Sequence, residues 1–185
     1  MMETNQQLLI SQPKEQTDRK PALLKYEVVK FGPYRFIGKS MYARAGKSDD
    51  LCGALWNSSD WVFHVLDTMP EYATDEKDDT ALVTWEKYDE KNKLMGYTVG
   101  RFMKENTPVP ENMDYVDIPE MDVAKGWMLK QYENIAEQLV KEETERRGIY
   151  IAASWIYMAE VNPKLDVNGA SIYGYFIPCQ PKNPD

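Results

Sequence analysis

The chain alternates between short apolar runs and polar punctuation from Leu23 onward, and before that point it does not. Residues 1–22 are rich in Gln, Lys, Glu and Thr, carry no aromatic residue, and hold one apolar cluster, Leu8-Leu9-Ile10. That composition predicts a mobile tail. Residues 24–31 read as a strand, and Gly32-Pro33 is a turn signal that leads into a second strand over 34–43, around Phe36, Ile37 and Met41. Leu51, Leu55, Val62 and Leu66 then fall at helical spacing behind an N-cap at Ser48 or Asp49. Ser58-Ser59-Asp60 leaves open whether this helix runs through or is broken and capped afresh at Asp60. Residues 70–79 begin with Pro and carry Asp75, Glu76, Asp78 and Asp79, which reads as an exposed acidic loop.

Two strands, 80–88 and 93–103, flank the polar turn Asp89-Glu90-Lys91-Asn92 as a hairpin. Pro108 and Pro110 mark a loop, and strands follow at 113–118 and 121–128. The clearest helix spans 129–147: Tyr132, Ile135, Ala136, Leu139 and Val140 make one apolar stripe, Glu133, Glu137 and Lys141 lie on the water side, and Gly148 stands at the C-cap. Strands over 149–161 and 170–178 close the domain around two turns, Asn162-Pro163 and Asn168-Gly169. The strand from Tyr150 is largely apolar on both alternating faces, so it is expected to be covered on both sides.

The element order repeats. Pro33 and Pro119 each precede a strand that leads into a helix, so the chain reads as duplicated β-β-α-β-β-like halves. The expected fold is α+β, an antiparallel sheet with two long helices packed on it and a ligand groove where the halves meet. The domain is expected over 23–180, with tails at 1–22 and 181–185.

Composition narrows the chemistry. The chain has 185 residues and a formal net charge of −8, and its mean hydropathy is −0.60. No apolar run approaches the ~18 residues of a membrane span, and an acidic chain does not attract a phosphate backbone. Neither a membrane nor direct nucleic-acid contact is therefore expected. One histidine, His64, excludes multi-histidine metal sites, and the two cysteines, Cys52 and Cys179, form no Cys-x-x-Cys motif, so no metal and no cofactor are expected. On one unbroken helix Cys52 and His64 would stand about 18 Å apart, which excludes a nucleophilic dyad. No Gly-x-Gly fingerprint or Gly-x-Ser-x-Gly elbow occurs. The N-terminus shows no basic-then-apolar leader, which points to the cytoplasm and to free thiols. What the composition leaves to explain is 5 Trp, 12 Tyr, 5 Phe and 10 Met in an acidic chain.

Several segments, taken in order, resemble the GyrI-like small-molecule-binding family, which is related to the effector-binding domains of AraC-type and MerR-type regulators. Gly32-Pro33-x-x-Phe36-Ile37-Gly38 resembles its first β-hairpin, and Leu55-Trp56 its helical Leu-Trp pair. Tyr97-x-Val99-Gly100 matches its tyrosine-to-glycine strand. Pro110-x-x-Met113 with Ile118-Pro119, and Gly126 before the helix around Tyr132 and Leu139, resemble the opening of its second repeat. Tyr175-Phe176-Ile177-Pro178 is similar to its terminal strand. The likeness covers residues 24–179. It departs at Trp155-Ile156-Tyr157-Met158-Ala159-Glu160-Val161, where the family carries a Phe-Glu-x-Tyr-like segment whose glutamate meets cationic ligands.

The resemblance implies that Glu160 is that carboxylate, with Trp56, Tyr97, Trp127, Trp155, Tyr157 and Tyr175 as walls of the groove. The residues alone leave two readings for most of these. Glu160 is a pocket acid or an exposed strand-end acid; Trp56 is a ligand shelf or core. Trp61 and Trp85 read as ordinary core or surface aromatics, and His64 as a surface or satisfied core histidine. Aromatic faces attract cations, Met adapts to several shapes, and a carboxylate supplies charge. The implied function is a stand-alone binding protein for hydrophobic, often cationic aromatic small molecules, with no DNA-binding domain since only about 22 residues precede the domain. Two alternatives remain open. One is a hydrolase of cyclopropane-containing DNA-alkylating natural products that uses Glu160 with Tyr97 or Tyr157. The other is an acidic protein-interaction module that inhibits a topoisomerase.

Overall fold

A computed structural model describes residues 21–44, 49–89, 91, 94–151, 157–162, 166–167 and 170–180. The tails at 1–20 and 181–185, and Trp155 with its neighbours 152–156, lie outside the described residues. The elements run β1 (Lys25–Phe31), β2 (Tyr34–Arg44), α1 (Asp49–Asn57), α2 (Asp60–Asp67), β3 (Asp79–Asp89), β4 (Leu94–Lys104), β5 (Asp114–Ile118) and β6 (Met121–Leu129). They continue with α3 (Ala136–Arg146), β7 (Tyr150–Ile151), β8 (Tyr157–Asn162), β9 (Asp166–Val167) and β10 (Ala170–Gln180). Short 3-10 turns precede β3 at Pro70–Tyr72 and lead into α3 at Lys130–Ile135.

All described strand pairs are antiparallel, and the sheet follows the order β1-β6-β10-β8-β3-β4-β2-β5, curled into a half-barrel. The fold is α+β with helices on one face, as the alternation predicts. The order divides evenly between β8 and β3. On one side β3-β4-β2 encloses α1 and α2; on the other β8-β10-β6 carries α3. The duplication read from element order is thus a pseudo-two-fold of the sheet.

Two features differ from expectation. The first long helix is two short ones, broken where Ser59 is fully buried and its Oγ donates to the Leu55 carbonyl at 2.6 Å. The hydroxyl satisfies that carbonyl while the chain redirects. The second feature is the pair β1 and β2, which form no hairpin. β1 crosses to β6 in the other half, with Phe31 opposite Met121, while β2 pairs with β4 and with β5, Tyr34 standing opposite Ile118. Each half lends its edge strand to the other. The two crossing links meet at Gly32, which has φ +87° and where an added Cβ would lie 2.9 Å from the Pro119 carbonyl oxygen. Only glycine fits that conformation and that gap.

The interior of the half-barrel is apolar, built from Phe31, Phe36, Leu82, Phe102, Ile118, Val123, Val161 and Phe176. A space of about 20 Å³ among these side chains holds one water at most. Lys125 enters this interior, 4% exposed; its ammonium lies 4.6 Å from the Phe176 ring and 4.9 Å from the Phe31 ring and is ion-paired with Glu76. The acidic stretch read as a solvated loop is therefore not one. Glu76 neutralises Lys125, and Asp79 opens β3 in an ion pair with Arg101.

On the other face, α3 lies so close to β6 that a Cβ on Gly126 would meet Val140 Cγ2 at 2.5 Å. The helix ends as its sequence indicates. Gly148 takes φ +72°, its N–H bonds the Glu145 carbonyl and the Ile149 N–H bonds the Thr144 carbonyl, a Schellman closure. Cys52 and Cys179 remain thiols. Among the described residues no helix is long and apolar enough to cross a membrane, and no cluster of His, Cys, Asp and Glu has the arrangement of a metal site.

Candidate ligand-binding site

A cavity of about 1060 Å³ opens on the helical face, between α1 and α2 on one side and the 3-10 turn and α3 on the other. Its position over β3, β4, β8 and β10 is the seam between the halves. Its volume is at the upper end of small-molecule pockets.

The strand registers explain which side chains meet there. Directly opposed residues of antiparallel strands share a face, so Glu160 on β8 shares the helical face with Ala81 on β3 and Tyr175 on β10. Tyr97 on β4, opposite Val83, projects from the same face. Ala81, on the strand between, is a single methyl, and across it the Tyr97 hydroxyl donates to Glu160 Oε2 at 2.8 Å. From above, Trp56 Nε1 on α1 donates to the same Tyr97 oxygen at 3.0 Å. Indole, phenol and carboxylate form one relay across the seam. Burial first, then the Glu160 charge and hydrogen bond, hold the Tyr97 phenol far above its ordinary range, so it stays protonated.

Trp56 stacks on Phe63 of α2, with centroids 6.2 Å apart. The Arg101 guanidinium anchors α2 beneath: it lies over the Phe63 ring at 5.3 Å and pairs with Asp67 of α2 and Asp79 of β3. On the opposite wall stand Lys130, Glu133, Asn134 and Glu137, with Tyr173 and Tyr175 of β10 below. Tyr175 is hydrogen-bonded to Glu137, and burial, then the Glu137 and Glu160 charges, raise its pKa. Glu133, exposed as the helical stripe predicts, and half-buried Glu137 both line the cavity mouth. Around the cavity are five carboxylates, of which Asp79 is paired with Arg101 and Glu137 with Lys141, leaving Asp60, Glu133 and Glu160 against one lining ammonium, Lys130. The field there favours a cation.

Four of the residues singled out in the sequence therefore come together: Glu160, Trp56, Tyr97 and Tyr175. Trp127 does not join them. Gly126 faces α3, so alternation turns Trp127 to the opposite face, where its ring meets Phe176 edge-on at 5.4 Å and Lys25 lies over it at 4.5 Å. Trp155, and the side chains of Tyr157 and Trp85, lie outside the described residues. His64 and Trp61 are exposed on α2. Tyr173, Met95 and Phe63 also line the cavity and went unremarked in the sequence. Tyr173 had a signal, being two residues before Tyr175 on one strand and so on the same face. The hydrolase arrangement fares less well at Tyr97, whose one proton is already given to Glu160.

Neither a family model nor the sequence of a curated protein matches the chain. Its fold does match solved structures. The structure of SAV2435 bound to tetraphenylphosphonium is similar at a TM-score of 0.61 and 10% identity, over 85% of this chain and 94% of that one. A transcription regulation protein from Staphylococcus aureus MU50 is similar at 0.58 and 11% identity, over 84% and 98%. EcmrR, in a complex with DNA, is similar at 0.56 and 7% identity; 85% of this chain aligns with 57% of that protein. At such identities the likeness concerns the fold, and it is consistent with the GyrI-like fold that the sequence motifs imply.

Proposed function

We propose that this chain is a GyrI-like binding protein for hydrophobic, cationic aromatic small molecules. The observation that carries the reading is the relay from Trp56 through Tyr97 to Glu160 on the floor of a roomy, acid-rimmed cavity. Glu160 supplies the charge, Tyr97 orients it, and Trp56 and Phe63 offer flat faces at a range where cation–π attraction contributes roughly 0.5–2 kcal/mol. Aromatic walls with the flexible Met95 among them favour tolerance over one ligand shape. The tetraphenylphosphonium held by SAV2435 is a cation of the class that such a cavity fits.

The test is a titration with tetraphenylphosphonium, read by Trp fluorescence and by calorimetry. The expected result is saturable binding, weakened about tenfold or more by Glu160→Gln, which keeps the shape and removes the charge. The reading fails if the cation does not bind, or if Glu160→Gln binds it as well as the natural chain does.

A further inference from the structure

Tyr173 is the one buried phenol of this cavity without a described hydrogen-bond partner. It is 6% exposed and lines the cavity beside Tyr97, Glu160 and Tyr175. Each neighbour has its bond: Tyr97 donates to Glu160, Trp56 donates to Tyr97, and Tyr175 is bonded to Glu137. Tyr173 has none among the described residues, although its ring is fixed in the apolar cluster with Met128, Ala136, Val140 and Ile177. A hydroxyl held in this state is a donor that a ligand oxygen in the cavity can complete.

We propose that Tyr173 is a specificity-determining donor, so that the cavity selects cations which also carry a hydrogen-bond acceptor, a carbonyl or ether oxygen on the aromatic frame. This rests on the cation-binding reading above. The surroundings set the direction of the bond. Burial, then the charge of Glu160, with Tyr175, Tyr97 and Glu133 adding to it, raises the Tyr173 pKa, so the proton stays on and seeks an acceptor. Glu160 already holds the Tyr97 proton and Glu137 is bonded to Tyr175 and Lys141, so an incoming ligand oxygen is the acceptor that suits this hydroxyl. Binding then has two parts: charge at Glu160, which admits cations in general, and a neutral bond at Tyr173, which ranks them. A hydroxyl built to be completed discriminates strongly against an isostere that cannot complete it.

The experiment compares two isosteric phosphonium series, acetylphenyl-triphenylphosphonium and isopropenylphenyl-triphenylphosphonium, each as ortho, meta and para isomers. A carbonyl oxygen in one replaces a methylene in the other. The natural chain is expected to favour the ketone of at least one isomer by about tenfold. Tyr173→Phe should erase that preference, bringing the ketone's affinity to that of the alkene. The wild-type ratio needs no variant, so it stands even if a variant misfolds. The proposal is overturned if all three isomer pairs bind equally to the natural chain, or if the preference survives in Tyr173→Phe. If neither series binds at all, the cation-binding reading falls, and this inference with it.

Discussion

At the scale of single residues, Tyr97 does the most. Its oxygen accepts from Trp56 and its proton goes to Glu160, so it ties a helix to two strands. Tyr97→Phe keeps the ring and removes both bonds. The expected cost is about 1–3 kcal/mol, measured by urea unfolding, together with weaker phosphonium binding because Glu160 loses the donor that orients it. A change confined to binding, with stability untouched, would mean that the relay is not structural. Cys179 offers a second check. Burial, then the Asp122 charge, push its thiol up to about 11, so a disulfide reagent at pH 8 should leave it unmodified until the chain unfolds. Rapid modification in the native state would contradict this. Tyr97 was nameable from motif position, and Glu160 only from its place in a segment that departs from the family's pattern. Tyr173 could be placed on the Tyr175 face by alternation, but nothing in a sequence distinguishes a bonded phenol from one without a described partner.

Among elements, α3 was the most legible and α1 with α2 the least. The α3 stripe and Gly148 define a helix whose end the sequence places within two residues. Ser58-Ser59-Asp60 left the first helix undecided, since a serine is equally at home back-bonding inside a helix and breaking one, and only burial decides. The last turn of α3 makes a testable claim about acid. Glu143 bonds Arg146 and Arg147, and those bonds hold its carboxyl well below the usual range, at about 2. A folded pKa below the unfolded one gives stability that is complete above about pH 4.5 and is lost as pH falls toward 2. Glu143→Gln should therefore lower the melting temperature at pH 7, by the equivalent of less than about 1 kcal/mol because both arginine partners are exposed. The difference from the natural chain should close as pH approaches 2. A gap that persists there would assign the effect to packing instead.

For the whole molecule, element order revealed the duplication but not the exchange of edge strands. Gly32-Pro33 carries a turn signal, and turn signals are local; nothing in residues 24–43 says that β1 belongs beside residues 121–127. The same limit misplaced Trp127, because a strand's faces are assigned only once its partners are known. The crossing point is the place to test the exchange. Gly32→Ala forces a left-handed φ on a side chain that would also press on the Pro119 carbonyl, so a loss of about 2 kcal/mol or more is expected in chemical unfolding. Loss within a few tenths would show that the links can part.

The exchanged edge strands also set a timetable. β1 is made early, yet its partner β6 lies about a hundred residues downstream, and pairings so distant in sequence slow folding because the intervening chain must close first. At about 5–20 residues per second, a ribosome delivers β6 roughly 5–20 s after β1. For that interval Phe31 and the rest of β1 have no native neighbour, and its unpaired edge is then open to other chains and to chaperones.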